Sequence, residues 1–302
     1  MLTINGLVKK FDKTTALDNI NMTVKDGSIY GLVGTNGAGK TTILKLLAGV
    51  LKADAGFVGI DDKPVYDSPE VKSRIAFIPD DLSFFGGYKV REAARYFSRF
   101  YADWNQTVFD DITAEFELPE GRRMSGYSKG MQKQAVFAIM LATSPDYLIL
   151  DEPIDGLDPI VRRSIWKHIV NASADRGMTT IVSSHNLREM EGFCDSIGII
   201  DKGRMALERD LDDMKSDLHK LQISFGSIEK RPENAYNELH VLNRQTNGSV
   251  DILIVKESAA ALDRFAKKYN PVLFDNVLLT LEEIFIYELG EQHGMYIYEL
   301  GR

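Results

Sequence analysis

The sequence has almost no cysteine and no long hydrophobic run. Cys194 is the one cysteine among 302 residues, so the chain cannot form an internal disulfide, and a reducing compartment is expected. No apolar stretch approaches the roughly 18 to 20 residues that a membrane-spanning helix needs. The first residues also lack the pattern of a signal peptide. We therefore expect any role at a membrane to be exercised through a partner protein.

The sequence also has fewer basic than acidic residues. The chain carries 36 basic and 44 acidic residues, which gives a net charge of −8. Proteins that bind nucleic acid usually present a basic face to the phosphate backbone, so this balance disfavours a nucleic-acid partner. Hydrophobic residues make up 44% of the chain, enough for buried cores. The length suits two domains of about 150 residues each.

Glycine is ordinary in number but concentrated in one place. Residues Gly34–Thr41 read GTNGAGKT, a full match to GxxxxGK[ST]. The motif follows an apolar run, Ile29–Val33, and precedes a helical pattern from Thr41 to Val50, which is the context that a phosphate-binding loop requires. Glycines let consecutive backbone N–H groups turn toward phosphate oxygens, and the helix N-terminus adds the positive end of its dipole.

The side chains that close this loop supply its chemistry. Lys40 can reach the β- and γ-phosphates of a nucleotide, and the hydroxyl of Thr41 can ligate Mg²⁺. A glycine-rich turn that merely reverses the chain would not need this set of residues. The residues predicted to contact the nucleotide from this loop are Asn36, Gly37, Ala38, Gly39, Lys40, Thr41 and Thr42.

Two adjacent carboxylates end a second apolar segment. Tyr147–Leu150 is followed directly by Asp151 and Glu152. A strand that is apolar on both faces belongs in the middle of a parallel sheet, and ligands bind at the C-terminal edge of such a sheet. We expect Asp151 to hold Mg²⁺ and Glu152 to polarise the attacking water. The alternative is a pair of solvated acids that merely caps a strand.

Three more motifs lie C-terminal to the phosphate loop, one before the acidic pair and two after it. Ser125–Met131 reads SGYSKGM, Gly156–Asp158 reads GLD, and His185 follows the β-branched segment Thr179–Ser183. Together with the phosphate loop and the acidic pair, they resemble the ATP-binding domain of ABC transporters from the start of the chain to about residue 205. The resemblance implies an α/β P-loop NTPase fold, with a RecA-like core, an antiparallel β subdomain and a helical subdomain at about residues 81–140. It also implies ATP as the nucleotide and ATP hydrolysis as the activity.

The resemblance assigns roles to residues outside the phosphate loop. Phe11 lies where the family stacks an aromatic ring on adenine, and His185 lies where it contacts the γ-phosphate as a catalytic switch. In the family two such domains pack head to tail, with Asp158 in the D-loop of the contact. The signature residues expected to bind the ATP held by the opposite subunit are Ser128, Lys129 and Gly130.

The sequence departs from the family pattern at three positions, of which Met131, in place of the usual glutamine, carries no mechanistic weight. Lys129 replaces the usual glycine of the signature, and its ammonium either adds a cation near the phosphate or points to solvent. Asp80 stands where the family usually has a glutamine that senses Mg²⁺. An acid can still ligate Mg²⁺, so Asp80 stays a predicted metal ligand beside Thr41 and Asp151. It cannot donate hydrogen bonds as an amide does.

The resemblance also implies partners and a location. We expect a head-to-tail homodimer, a separately encoded transmembrane permease, and a position at the cytoplasmic face of the membrane. The start of the signature, Tyr127–Ser128, and Asp80 are similar to the ATPases of bacterial exporters, which favours export of amphipathic or antimicrobial peptides or other toxic compounds. The aromatic residues Phe84, Phe85 and Tyr88 either receive the permease or pack within the helical subdomain.

The rest of the chain carries no motif of the family. Its pattern of strands and helices predicts a small α+β domain at 216–302, after the ATPase domain at 1–215, with a hairpin turn at Asn247–Gly248 and a helix opened by the capping box Thr280–Glu283. A short sequence at Ile286–Gly290 recurs at Ile297–Gly301. Two alternatives stay open: a soluble ABC-type ATPase without a transport role, and an ATPase gated by ligand sensing in this domain. A GTPase is disfavoured because no NKxD element is present.

Overall fold

The computed structural model describes residues 1–211 and 218–289. The first compact unit is Met1–Glu208, and the second unit begins at Arg209. The domain boundary predicted at residue 215 and the repeat at Ile297–Gly301 both lie outside the described residues. Among the residues described, no helix is both long enough and apolar enough to span a membrane.

The chain up to residue 210 forms ten strands and six α-helices. The strands are β1 (Leu2–Phe11), β2 (Thr14–Val24), β3 (Ile29–Val33), β4 (Ala55–Ile60), β5 (Lys63–Pro64), β6 (Ile75–Ile78), β7 (Tyr147–Asp151), β8 (Thr179–Ser184), β9 (Ser196–Asp201) and β10 (Arg204–Asp210). The helices are α1 (Lys40–Leu47), α2 (Pro69–Lys72), α3 (Val90–Phe97), α4 (Gln106–Glu115), α5 (Lys129–Ala142) and α6 (Pro159–Arg176).

Two sheets form the framework of the first unit. One has the order β2-β1-β4-β5 and pairs its strands antiparallel, and the other has the order β10-β9-β3-β8-β7-β6. In the second sheet β9, β3, β8, β7 and β6 pair parallel to one another. Every residue of β3, β7 and β8 is buried, as expected for strands inside an α/β sheet that is covered on both faces. The prediction of an α/β fold is confirmed.

The helices between residues 81 and 142 differ in detail from their predicted lengths. The amphipathic spacing of Val90–Tyr101 predicts one helix over these residues, but α3 ends at Phe97, where the Ser98 hydroxyl donates to the carbonyl of Arg95 at 3.1 Å. A serine that bonds its own preceding turn competes with helix continuation. The spacing of Val108–Phe116 predicts a second helix, but α4 begins two residues earlier at Gln106, because the Asn105 side chain caps it by accepting from the Val108 amide at 3.1 Å.

The second unit is an antiparallel sheet with helices. Its elements are β11 (Leu218–Ser224), β12 (Val241–Asn247), β13 (Val250–Lys256), α7 (Ala259–Tyr269), β14 (Leu273–Val277) and α8 (Leu281–Leu289), and the sheet order is β12-β13-β11-β14. Its separate core includes Leu221, Leu253 and Phe265. The predicted capping box is confirmed, since the Glu283 amide donates to the Thr280 hydroxyl at 3.2 Å and the Glu283 carboxylate accepts from the Thr280 amide at 2.9 Å.

The predicted hairpin turn is wrong by one residue. Asn247 pairs with Val250, so the two-residue loop is Gly248–Ser249 and Asn247 belongs to β12. Gly248 has a φ of +60°, the left-handed backbone that a tight hairpin turn needs at this position.

Asp251 is the polar centre of the second unit. It lies on β13 and is almost fully buried, yet its carboxylate accepts from Arg231 at 2.8 Å, Tyr236 at 2.7 Å and Thr246 at 2.6 Å. Burial alone would raise the pKa of this carboxyl, but the hydrogen bonds from Thr246, Arg231 and Tyr236 outweigh burial and hold the pKa at about 2. The ionised form of Asp251 therefore stabilises the folded unit.

We predict that Asp251→Asn lowers the free energy of unfolding of the second unit by about 2 to 4 kcal/mol, because it leaves partly buried arginine charge without its carboxylate.

The lowered pKa of Asp251 also makes the stability of the wild-type second unit depend on pH. A depressed pKa contributes stability above the ordinary pKa of about 4, and that stability is lost as the pH falls from about 4 toward 2.

Urea titrations can separate the two units. Both tryptophans, Trp104 and Trp166, lie in the first unit, so their fluorescence reports its unfolding while circular dichroism reports both units. Asp251→Asn should shift a circular-dichroism transition without moving the fluorescence transition, and the exposed Asp263→Asn should move neither. Equal stability of Asp251→Asn and wild type at neutral pH would contradict the role of Asp251.

Candidate functional site

The predicted site residues converge where three neighbouring strands end. In the parallel register Val33 of β3 is opposite Ser184 of β8, and Asp151 of β7 is opposite Ser183. The residues that follow these strands therefore meet at one edge of the sheet. This edge is the C-terminal one, where ligands bind in parallel α/β sheets.

The phosphate-loop sequence forms the turn between β3 and α1. Gly37 and Gly39 have φ values of +82° and +116°, which side-chain-bearing residues rarely adopt. Gly34 is required for space, because a Cβ there would lie 2.5 Å from the carbonyl oxygen of Ile200. A Cβ on Gly39 would likewise lie 2.8 Å from the Leu17 side chain. The motif glycines are thus demanded by the backbone path and by its packing.

Lys40 begins α1 and turns its side chain back into the loop. Its ammonium donates to the carbonyl of Gly34 at 2.7 Å and to that of Thr35 at 3.3 Å. The side chain is only 5% exposed, so the charge needs a partner within the protein. That partner is the carboxylate of Glu152, whose Oε1 lies 3.2 Å from Lys40 Nζ.

Glu152 joins the phosphate loop to the predicted switch histidine. Its second oxygen, Oε2, lies 2.9 Å from Nδ1 of His185. The carboxylate therefore bridges Lys40 and His185, two groups that the sequence places far apart. A carboxylate in this position can accept a proton from a water molecule, and the two neighbours fix the direction in which it points.

Asp151 presents an oxygen suited to a metal ion. Its Oδ1 accepts from the Ser183 hydroxyl at 2.7 Å, while its Oδ2 is buried and has no hydrogen-bond partner within the part of the chain described. A buried carboxylate oxygen without a donor fits a hard cation such as Mg²⁺, which commonly keeps one or two protein ligands and takes the rest from water and phosphates. Within the described residues, no group of three or more histidine, cysteine or acidic side chains could hold a metal ion.

The three strand ends enclose a cleft of about 500 Å³. Its lining consists of Ala16, Asn36, Gly37, Gly39, Lys40, Thr41, Thr42, Asp80, Glu152, Asp155 and His185. Ala16 and Asp155 were not predicted from the sequence, whereas the other lining residues were. The predicted metal ligand Asp151 is not among these lining residues, and two predicted nucleotide contacts also lie outside the lining. Ala38 is buried in the loop, and Phe11 is 45% exposed at the end of β1 with the Lys9 ammonium 5.4 Å from its ring centre.

The signature residues begin α5. Ser128 caps this helix, since its hydroxyl accepts from the Met131 amide at 3.2 Å, and Lys129 is the first helical residue. A Cβ on Gly130 would lie 3.1 Å from Leu157, so the signature packs against the D-loop of its own chain. None of the three signature residues lines the 500 Å³ cleft, although Lys129 lines a second cleft of about 690 Å³.

The D-loop is tied to the strand that carries the histidine. Asp158 caps α6, with its carboxylate accepting from the amides of Ile160 and Val161 at 3.0 and 3.1 Å. Arg162 donates to the Leu157 carbonyl at 2.8 Å and to Glu189 at 3.1 Å. Glu189 in turn accepts from the hydroxyl of Ser184, the residue before His185, at 2.6 Å.

Two further predicted features, Asp80 and the aromatic residues from Phe84 to Tyr88, follow β6 along the chain. Asp80 lines both clefts, and its side chain is 67% exposed with Oδ1 4.0 Å from the ammonium of Lys133. Phe84 is 58% exposed and packs edge-on against Phe85, with ring centres 5.3 Å apart. The aromatic cluster thus packs internally and also presents a face to its surroundings.

The phosphate loop, the acidic strand end and the parallel sheet define a P-loop NTPase. Comparison with known proteins gives its family. The family model described as ABC transporter matches residues 17–155. The ABC transporter ATP-binding protein YhcH of Bacillus subtilis is 31% identical over 304 residues, an alignment that covers 96% of this chain and 96% of that protein. The chain therefore belongs to the ABC transporter family and carries its ATP-binding domain.

Two further similarities bear on fold and function. The Nod factor export ATP-binding protein I of Burkholderia lata is 32% identical over 206 residues, covering 66% of this chain and 67% of that protein. A solved structure of an ATP-binding subunit of an ABC transporter is 26% identical with a TM-score of 0.65, covering 71% of this chain and 92% of the solved one. The predictions of a P-loop NTPase fold and of an ATPase are confirmed.

We predict that Lys40→Ala weakens ATP binding by about 10- to 100-fold, the effect of losing charge-assisted hydrogen bonds to phosphate. Isothermal titration calorimetry with ATP measures the affinity. The matched control is Lys167→Ala, which removes an exposed lysine of α6 and should bind ATP as the wild type does. Unchanged affinity in Lys40→Ala would contradict the assignment of the loop.

Proposed function

We propose that this chain hydrolyses ATP with Glu152 as the general base and powers a separate permease that exports amphipathic peptides or other toxic compounds. The observation that carries the proposal is the Glu152 carboxylate between Lys40 and His185 at the end of β7. Its oxygens point into a cleft lined by the phosphate loop, so a water beside the terminal phosphate would lie within their reach.

Each residue of the cleft has a distinct task in this proposal. The loop amides and Lys40 hold the phosphates, and the hydroxyl of Thr41 with the free oxygen of Asp151 would hold Mg²⁺. Bound Mg²⁺ would neutralise charge on the phosphates. The phosphates compete with Glu152 for the Lys40 ammonium, so nucleotide binding frees one carboxylate oxygen to orient the water and accept its proton. His185 keeps the other oxygen in place and faces the developing phosphate charge.

The proposal includes a head-to-tail homodimer. Ser128, Lys129 and Gly130 lie outside the lining of the chain's own ATP cleft, which supports the idea that they serve a second copy. Ser128 caps α5, so its hydroxyl and the first amides of the helix would meet the phosphate at the positive end of the helix dipole. Asp158, which begins α6, would lie at the same contact. ATP binding then draws the two copies together, and hydrolysis releases them.

The partner of the dimer is proposed to be a transmembrane permease, which would place the ATPase at the cytoplasmic face of the membrane. The exposed face of the aromatic cluster at Phe84 supports a protein contact there. The similarity to the Nod factor export ATP-binding protein I of Burkholderia lata supports outward transport. The net charge of −8 supports the absence of a nucleic-acid partner.

We predict that Glu152→Gln keeps ATP affinity but lowers turnover by about 10² to 10⁴-fold, since the amide has the shape of the carboxylate but cannot accept the proton. Phosphate release under saturating ATP measures turnover, and calorimetry measures affinity. The exposed Glu229→Gln in the second unit serves as the control. Near-normal turnover in Glu152→Gln would remove Glu152 from the mechanism.

Purification from detergent-solubilised membranes tests the partner. A tagged chain should recover a hydrophobic permease in constant proportion, and Phe84→Asp should lower that recovery severalfold while ATP affinity stays unchanged. Recovery only in the soluble fraction, with ribosomes, would favour the alternative of an ATPase without a transport role.

A further inference from the structure

The ammonium of Lys133 donates hydrogen bonds to the backbone beside the proposed base, Glu152. We propose that Lys133 is a positioning residue, which acts on the reaction by fixing the direction of the Glu152 carboxylate. Lys133 lies on α5, five residues after the signature serine Ser128. This inference rests on the proposed function of Glu152, and it adds a residue that no motif of the sequence indicated.

Lys133 holds two carbonyl groups of the loop that follows β7. Its Nζ donates to the carbonyl oxygen of Glu152 at 2.7 Å and to that of Asp155 at 3.0 Å. Both distances are those of good charge-assisted hydrogen bonds. The lysine side chain is only 13% exposed, so its stem is packed and its ammonium is directed by the surrounding protein. One side chain thus closes the loop from 152 to 155.

The backbone of Glu152 needs this support. Its φ is +47°, a left-handed conformation that costs about 1 kcal/mol or more for a residue other than glycine. Such a conformation persists only where its surroundings determine it. The amide of Glu152 donates to the Ser183 hydroxyl at 3.0 Å, and its carbonyl accepts from Lys133. The peptide groups on both sides of the Glu152 Cα are therefore fixed, and with them the direction of the side chain.

The direction of the side chain decides its contacts. With the backbone fixed in this way, the carboxylate reaches Lys40 at 3.2 Å and His185 at 2.9 Å. A rotation of the loop would move the carboxylate away from at least one of them. Misplacement of a catalytic group by about 1 Å can lower a rate by about 10²-fold, so loop support of this kind matters for turnover.

An ion pair with Asp80 explains the position of Lys133 less well than its hydrogen bonds to the two carbonyls do. The nearby acid Asp80 is largely exposed, and its oxygen lies 4.0 Å from Nζ, at the limit of an ion pair. Exposed pairs of this kind contribute little. The two carbonyls are closer, and they belong to the segment that carries the base. The geometry therefore assigns the ammonium to the loop rather than to Asp80.

The test compares three variants by steady-state ATP hydrolysis. Lys133→Met keeps the stem and removes the donor, and we expect kcat to fall about 10- to 100-fold while the calorimetric affinity for ATP changes less than about twofold. Lys133→Arg restores a cationic donor and should recover most of kcat. Lys167→Met, the same change at an exposed position of α6, should match the wild type.

A double variant separates positioning from a general loss of structure. Because Lys133 acts through Glu152, adding Lys133→Met to Glu152→Gln should lower the residual turnover no further. An additive loss, or a rise in KM with kcat unchanged, would overturn the assignment. So would normal turnover in Lys133→Met while Glu152→Gln is inactive, and that result would leave the proposed function intact. Normal turnover in Glu152→Gln would instead overturn the proposed function itself.

Discussion

The contact of one carboxylate with two partners, Lys40 and His185, organises the site. Glu152 can make both contacts only because β3, β7 and β8 run parallel and end in register, so that the phosphate loop, the acidic pair and the histidine leave the sheet side by side. The glycines at positions 34 and 39 let the loop pack closely against Ile200 and Leu17. Ser183 and Lys133 fix the backbone of Glu152 from either side. The contacts of Glu152 thus depend both on the register of the sheet and on the backbone path of the loops that follow its strands.

The charges of Lys40 and Glu152 indicate how their contact responds when ATP binds. An almost fully buried ammonium requires a counter-charge, and Glu152 supplies it. The phosphates of ATP carry more negative charge than a single carboxylate, so they can take over the ammonium and release an oxygen of Glu152 where the water would stand. In the proposed mechanism, the carboxylate that neutralises the lysine before ATP binds would then serve as the base once ATP is bound.

The sequence predicts the site well where a local motif determines a local shape. The phosphate loop and the acidic pair each specify their own turn or strand end, and His185 could be placed because it follows a recognisable strand. Ser183, Arg162 and Lys133 could not be found this way, because their partners lie on other elements and depend on tertiary packing. The start of α4 at Asn105 and the end of α3 at Ser98 were predicted incorrectly because each depends on a single side-chain hydrogen bond.

A crystal structure of the Glu152→Gln chain with Mg²⁺ and ATP tests this account most directly. We expect Lys40 Nζ to leave residue 152 and contact the phosphates, Asp151 Oδ2 to face the metal, and Lys133 to keep its bonds to the carbonyls of residues 152 and 155. A bound nucleotide with Lys40 still paired to residue 152, or a nucleotide outside the cleft formed by the three strand ends, would contradict it.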